Sequence, residues 1–307
     1  MANEASLAYH PAMQKFFAPE AVAAPPVAAP RFEEDLPAMA AQAYALSDRL
    51  CGHCRNFHAL WPYRRLARMC SAASSGSPVI ERTIRTLLAS GGRRVLVAAA
   101  ADSGLLATVV RAGAGFEPDI TVVDRCETPL ELNRQFAAQW SVRLQTQRVE
   151  LAELDLANFD VIYANELIQY FPRDRRVDML ARMRRALRPG GHLVCVFHTG
   201  DRITGAAVPE YKAAYAGWLV AELERLGIAL PESRDRFLQR ASDCDYGGES
   251  RKGEFETPEA VDATMQEAGF AVRQRTQFDV PLLPSYQDYF AKLGKRRFLS
   301  IAQSPTR

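Results

Sequence analysis

Residues 93–124 read RRVLVAAAADSGLLATVVRAGAGFEPDITVVD. The first eight, RRVLVAAA, are a short apolar run set off by Gly91-Gly92, and they predict a strand over 93–100. Residues 103–113 follow with the small and apolar spacing of a helix. DITVVD, residues 119–124, is a second apolar run. Two such runs joined by one helix within about thirty residues form a right-handed crossover between parallel strands. Both strands lack a polar face, so the sheet must be covered on both sides.

The same alternation continues in both directions. Upstream, Ser77-Pro78 predicts an N-cap with proline in the first turn, and Glu81 suits the dipole there. That helix ends at Gly91-Gly92. Downstream, Thr128-Pro129 opens a helix through Trp140, a strand lies near 142–149, and FDVIYAN (159–165) is a buried strand. A helix over 173–188 leads to Pro189-Gly190-Gly191, read as a turn, and to the strand HLVCVFH (192–198). Residues 201–254 read as an insertion with two helices. Thr257-Pro258-Glu259 caps a further helix ended by Gly269, and FAVRQRTQFD and RRFLSIAQ close the chain as strands. Before all of this, helices are expected over 39–50 and 55–70, the second kinked at Pro62, and SAASSG (71–76) is a loop. Three units follow: an Ala/Pro-rich flexible arm over 1–38, a helical cap over 39–76, and an α/β unit over 77–307 with 201–254 as a lid. Ligands of such a sheet bind beyond its carboxyl ends, here after Val97, Val123, Ala164 and Phe197.

Composition excludes several classes. The chain has 307 residues, 48% hydrophobic and 24% charged, with a net charge of +2. It is neither wholly disordered nor collagen-like. No run approaches the roughly 18 apolar residues of a membrane span. All but five of the 38 basic residues are Arg, which a GC-rich coding sequence explains; they form no second basic face, so no nucleic-acid surface is expected. Six cysteines make no disulfide framework, and MANEASLAYH is not a secretory leader, so a cytoplasmic location is expected.

In order, VLVAAAADSG, ITVVD, FDVIYANELIQYFP, LRPGGHLVCVF and TPEAVDATMQEAGF with two closing strands resemble the class I S-adenosylmethionine-dependent methyltransferases over about 77–303. The resemblance implies a Rossmann-like α/β fold: a seven-stranded, mostly parallel sheet with helices on both faces and an antiparallel last strand. It implies S-adenosyl-L-methionine as cofactor and methyl transfer to a small molecule. It places the glycine-rich loop at Ala98, Ala99, Ala100, Ala101, Asp102, Ser103 and Gly104, and the ribose-binding acid at Asp124 beside Arg125. Glu150 falls near the adenine, and Asn165 and Glu166 near the methionine part or the acceptor. The loop departs from the pattern: alanines and Ser103 replace glycines, and an alanine fits without strain only at negative φ. That departure keeps open a second reading, a degenerate fold serving as a partner-binding or regulatory protein.

Methyl transfer needs alignment first, and a base only where the acceptor carries a proton to lose. His198 is the candidate base, having a near-neutral pKa, with Glu166 and Tyr170 as further candidates. In the cap, His58, Trp61, Tyr63 and Arg64 are expected at the pocket mouth, where an Arg would pair with the cofactor carboxylate. Tyr211, Tyr215 and Trp218 form a helical stripe in the insertion, either packing or an acceptor wall. Cys51-Gly-His-Cys54 has the spacing of a redox dithiol, and with His58 and distant Cys70 it offers four metal ligands; buried, idle thiols are the plain expectation and no metal is assigned. Cys126 reads as a small hydrophobe. The expected partner is a small molecule, with neither nucleic acid nor membrane, and a homodimer is the assembly open to the chain.

Overall fold

The computed structural model describes residues 35–52, 54–70, 78–201, 203–244 and 255–306. Of the expected arm over 1–38, residues 1–34 lie outside them, as do the 71–76 loop, the Ser77 cap and the stretch 245–254; residues 36–38 are not arm but the first turn of a helix that Asp35 caps.

Ten α-helices and seven strands are described. The helices are α1 (Leu36–Leu50), α2 (Arg55–Leu66), α3 (Pro78–Ala89), α4 (Gly104–Ala112), α5 (Glu127–Gln139), α6 (Arg176–Ala186), α7 (Ala207–Arg225), α8 (Arg234–Asp243), α9 (Pro258–Glu267) and α10 (Pro284–Lys292). The strands are β1 (Arg94–Ala98), β2 (Asp119–Asp124), β3 (Leu144–Arg148), β4 (Phe159–Asn165), β5 (Leu187–Thr199), β6 (Ala271–Phe278) and β7 (Arg296–Gln303). They form one sheet in the order β3-β2-β1-β4-β5-β7-β6. β1 through β5 run parallel, and β7 is antiparallel to both neighbours. This is the Rossmann-like arrangement the sequence implied. The order reverses between β1 and β4, which makes a crevice at their carboxyl ends.

The apolar runs divide by twos. Val95, Val97, Val122, Tyr163, Val194 and Val196 face one core, with Ile80, Ile84 and Leu88 of α3 and Leu105, Leu106 and Val109 of α4. Leu96, Ala98, Val123, Ile162, Ala164, Leu193 and Cys195 face the other, with Leu180 and Met183 of α6 and Val261 and Met265 of α9. Period-two side-chain alternation in a doubly covered sheet produces this split. The cap belongs to the first core: α2 supplies Leu60 and Tyr63, and the insertion supplies Leu219, Val220 and Phe237. Ala43 and Leu46 of α1 pack on Leu132 of α5.

Two expectations are corrected. The second cap helix ends at Leu66, not near residue 70; Pro62 inside it removes the bond to the His58 carbonyl, and packing against α1, α7 and α8 holds the helix. Pro189-Gly190-Gly191 is not a turn before β5 but part of it. There the pairing with β4 shifts between Phe159 and Val161, Gly190 takes φ 76°, and a Cβ on Gly191 would lie 3.0 Å from the Phe159 carbonyl, an irregularity that glycine accommodates. The sequence predicts no element between the last two strands, and α10 lies there. Pro284 at its first turn starts that helix rather than preventing it.

Candidate functional site

At the carboxyl end of β1 the backbone turns sharply. Ala99 has φ 59°, and its N–H donates to the Val123 carbonyl at 2.9 Å. Of the loop alanines, Ala99 alone departs from negative φ. A left-handed alanine costs roughly 1–2 kcal/mol. Ala99→Gly is expected to raise the unfolding free energy by about 0.5–1 kcal/mol, the strain relieved less the extra chain entropy of glycine. Denaturant melts check this; a less stable variant would contradict it. Glu166 repeats the feature past β4, at φ 51°, its N–H donating to Val196 O at 2.8 Å. Strained residues on adjacent strand ends mark functional crevices.

Between these ends lies a cavity of about 680 Å³, within the usual range for small-ligand pockets. Asp124 closes β2 and lines it. Its Oδ1 accepts the Cys126 N–H at 2.7 Å, and its Oδ2 accepts the Ala100 N–H at 3.2 Å. Burial pushes its pKa up to about 6, against the lowering pull of nearby His58. Val149, Glu150 and Leu151, just past β3, supply a largely apolar wall beside it.

The loop after β1 is locked by an ion pair. Arg65 of α2 donates from Nη1 to Asp102 Oδ2 at 3.0 Å, with side-chain exposures of 2% and 4%. Asp102 Oδ1 also accepts the Gly104 N–H at 2.8 Å. A Cβ on Gly104 would lie 3.0 Å from the Arg65 guanidinium carbon, so this surviving glycine makes room for the pair. The cap is thereby joined to the cofactor loop through one buried charge pair.

The structure distributes the expected residues as follows. Ala99, Ala101, Asp102, Gly104, Asp124, Arg125, Glu150 and Asn165 line the cavity, as do Glu166, Tyr170, His58 and Trp61. Ala98 and Ala100 are fully buried beneath it. Ser103 opens α4, its hydroxyl donating to Met39 Sδ at 3.0 Å. His198 is buried behind the wall: its Nδ1 is 3.0 Å from the Gln169 side-chain amide and 3.5 Å from Glu166 Oε1. Arg297 Nε lies 3.6 Å from the same Glu166 oxygen. Tyr63 packs on Tyr44 and Phe237. Arg64 faces away from the cavity, bonded to the Tyr215 hydroxyl and, at 3.3 Å, to the Met69 carbonyl. Tyr211 stacks on Tyr289 of α10, Tyr215 meets Tyr286 edge-on, and Trp218 lies tilted against Tyr289. That stripe joins two helices rather than walling the cavity.

Other wall residues had no sequence signal. Phe57 and Phe171 line the cavity, and Phe57 meets Trp61 at 5.2 Å and Tyr170 at 6.4 Å between ring centres. Asp243 and Cys244, at the end of α8, bring the insertion to the same wall. Only the closure of α7 and α8 over the cap places them there. Cys70 is buried away from Cys51 and Cys54; the sulfur that meets them is Cys126.

The comparisons agree on the domain. Residues 95–191 match a family described as a methyltransferase domain. The chain is 30% identical over 148 residues to chemotaxis protein methyltransferase 1 of Pseudomonas aeruginosa, covering 42% of this chain and 53% of that one. The chain thus spans about half the length of that curated relative. Among solved structures, an O-methyltransferase family protein from Burkholderia thailandensis superposes with a TM-score of 0.50 at 15% identity, covering 83% of this chain and 63% of that one. At that identity the likeness concerns the fold. No described helix is long and apolar enough to cross a membrane.

Proposed function

We propose that the chain, whose residues 95–191 match a methyltransferase domain, binds S-adenosylmethionine and transfers its methyl group to a small-molecule acceptor. The observation that carries this reading is the cavity of about 680 Å³ at the sheet reversal, with the Asp124 carboxylate at the end of β2. The residues there suit the cofactor. Each Asp124 oxygen accepts one backbone N–H and keeps a lone pair for a ribose hydroxyl. Val149 and Leu151 offer apolar surface to a purine, and Ala99, Ala101 and Gly104 let the ligand approach the loop closely. Bound there, S-adenosylmethionine supplies a methyl group already activated by its sulfonium.

The chain's own work is then to align, enclose and, for some acceptors, deprotonate. Phe57, Trp61, Tyr170 and Phe171 make an aromatic enclosure that excludes water and orders a small apolar acceptor. Arg55 and Asn56, at the start of α2, line the opening and suit the cofactor's carboxylate. Glu166 is the group on the wall placed to take a proton from an acceptor hydroxyl or ammonium. His198 and Arg297 act through it as positioning residues, 3.5 and 3.6 Å from its Oε1.

The alternative, a fold kept for partner binding, draws on one observation: both Asp124 oxygens already serve the loops around them. Incubating the protein with S-adenosylmethionine and a panel of small hydroxyl, amine and thiol compounds, with mass detection, tests the proposal. A cofactor-dependent product heavier by one CH₂ supports it. Methylation of protein substrates alone would contradict the small-molecule assignment, and no product with any acceptor would favour the partner-binding reading.

A further inference from the structure

Cys51, Cys54, His58 and Cys126 bring one donor atom each to a common point, all within 4.8 Å of one another. The Cys51 sulfur lies 3.3 Å from His58 Nδ1 and 3.3 Å from the Cys126 sulfur. Three come from the cap: Cys51 follows α1, Cys54 precedes α2, and His58 is in the first turns of α2. The fourth comes from the α/β unit, since Cys126 lies between β2 and α5. We propose that these four side chains bind a zinc ion, and that this ion fastens the helical cap to the edge of the cofactor cavity.

The donor set and the spacing both fit. Three thiolates and an imidazole are a familiar tetrahedral zinc set, with Zn–S near about 2.3 Å, which puts sulfurs roughly 3.8 Å apart. The Cys51–Cys126 pair, at 3.3 Å, must open by about half an ångström, and the widest-spaced donors, within 4.8 Å, must close by up to about one. Cys51-x₂-Cys54-x₃-His58 supplies three ligands within eight residues, the short spacing that structural sites use. Thiolates form readily at helix N-termini, and Cys54 and Cys126 are the N-cap residues of α2 and α5. The Thr128 hydroxyl, fully buried, lies 3.0 Å from the Cys51 sulfur and is placed to orient it. On binding, three thiols release their protons to solvent and His58 ligates as the neutral ring.

Four protein ligands leave no open coordination position, so this ion is structural and not a Lewis acid for the reaction. Its position gives it a second effect. The Cys126 N–H is the donor to Asp124 Oδ1, and His58 lines the cavity one turn before Trp61. The ion therefore fixes both the floor beside Asp124 and the aromatic roof.

The test uses the full-length chain purified without a metal-affinity tag and analysed by elemental mass spectrometry. About one zinc per chain is expected, falling below a tenth in Cys126→Ser and Cys54→Ser and remaining near one in Cys70→Ala. Should those serine variants misfold, His58→Cys, which completes a four-thiolate set, is expected to keep the metal. Cobalt exchanged for zinc is expected to give the visible and sulfur charge-transfer bands of a tetrahedral thiolate site. Chelation should expose three further thiols to a thiol reagent and lower the melting temperature. Less than a tenth of an equivalent of metal in the folded wild type, or a Cys51–Cys126 disulfide in the unreduced protein, would overturn the assignment. Metal content is read without cofactor, so a chain that holds zinc yet binds no S-adenosylhomocysteine overturns the methyl-transfer reading alone.

Discussion

Arg65→Met is expected to cost the protein about 3–5 kcal/mol, because it leaves the Asp102 carboxylate buried without its countercharge. The pair is 3.0 Å apart and almost completely enclosed, so water cannot screen the charge that remains. Asp102→Asn in the same background removes that charge and keeps an oxygen for the Gly104 N–H, which it accepts at 2.8 Å. The double variant is expected to recover about 1–3 kcal/mol relative to Arg65→Met, a coupling that a double-mutant cycle isolates. Urea melts of the four proteins provide the numbers. A loss below 1 kcal/mol in Arg65→Met would mean that solvent reaches the pair and that cap and loop are not joined through it.

Asp124→Ala is expected to weaken S-adenosylhomocysteine binding about ten- to a hundredfold, equivalent to roughly 1–3 kcal/mol of charge-assisted bonds to the ribose. The two residues differ in what they report. Arg65 lies off the cavity wall and its loss is read in stability; Asp124 lines the wall and its loss is read in affinity. Asp124→Ala also frees the Ala100 and Cys126 N–H groups, so a thermal melt must show the variant folded before its affinity is interpreted. Unchanged affinity in a folded variant would remove Asp124 from the site.

Most of the sheet was legible because its central strands are apolar and end on recognisable breaks. ITVVD and FDVIYAN declare themselves by length and by β-branched content, RRFLSIAQ by length and its apolar Phe, Leu and Ile, and the spacing of their connections leaves room for one helix each. The strand order came from the resemblance to class I methyltransferases. What stayed hidden depends on tertiary approach. α10, which Pro284 opens, had no counterpart in the sequence reading. LRPGG looked like a turn and is an irregular strand segment, paired with β4 at Leu187 and bonded at Gly190 and Gly191 to Ser304 just past β7. Neither outcome is decided by the local chain, since each rests on what packs or pairs beside it.

The site shows the same division. Asp124, Glu150, Asn165 and Glu166 sit at strand ends, and a strand end has an address in sequence. Arg64 and Arg65 are adjacent in α2, one directed to Tyr215 and the other to Asp102. A hundred degrees of helix rotation separates them, and the sequence alone does not say which face meets the loop. Cys126 was read as a small hydrophobe, with Cys51 75 residues away from it in the chain. Only the packing of α1 on α5 brings the two ends of that cluster together. The alanine loop is the reverse case: sequence raised the right physical question, whether alanine there must take positive φ, and the structure shows that Ala99 does.

The most direct measurement is a calorimetric titration of the folded, full-length protein with S-adenosylhomocysteine. The account predicts saturable binding of one molecule per chain, weakened in Asp124→Ala. No heat and no thermal stabilisation at millimolar ligand would contradict it, leaving a methyltransferase fold whose cavity serves another purpose.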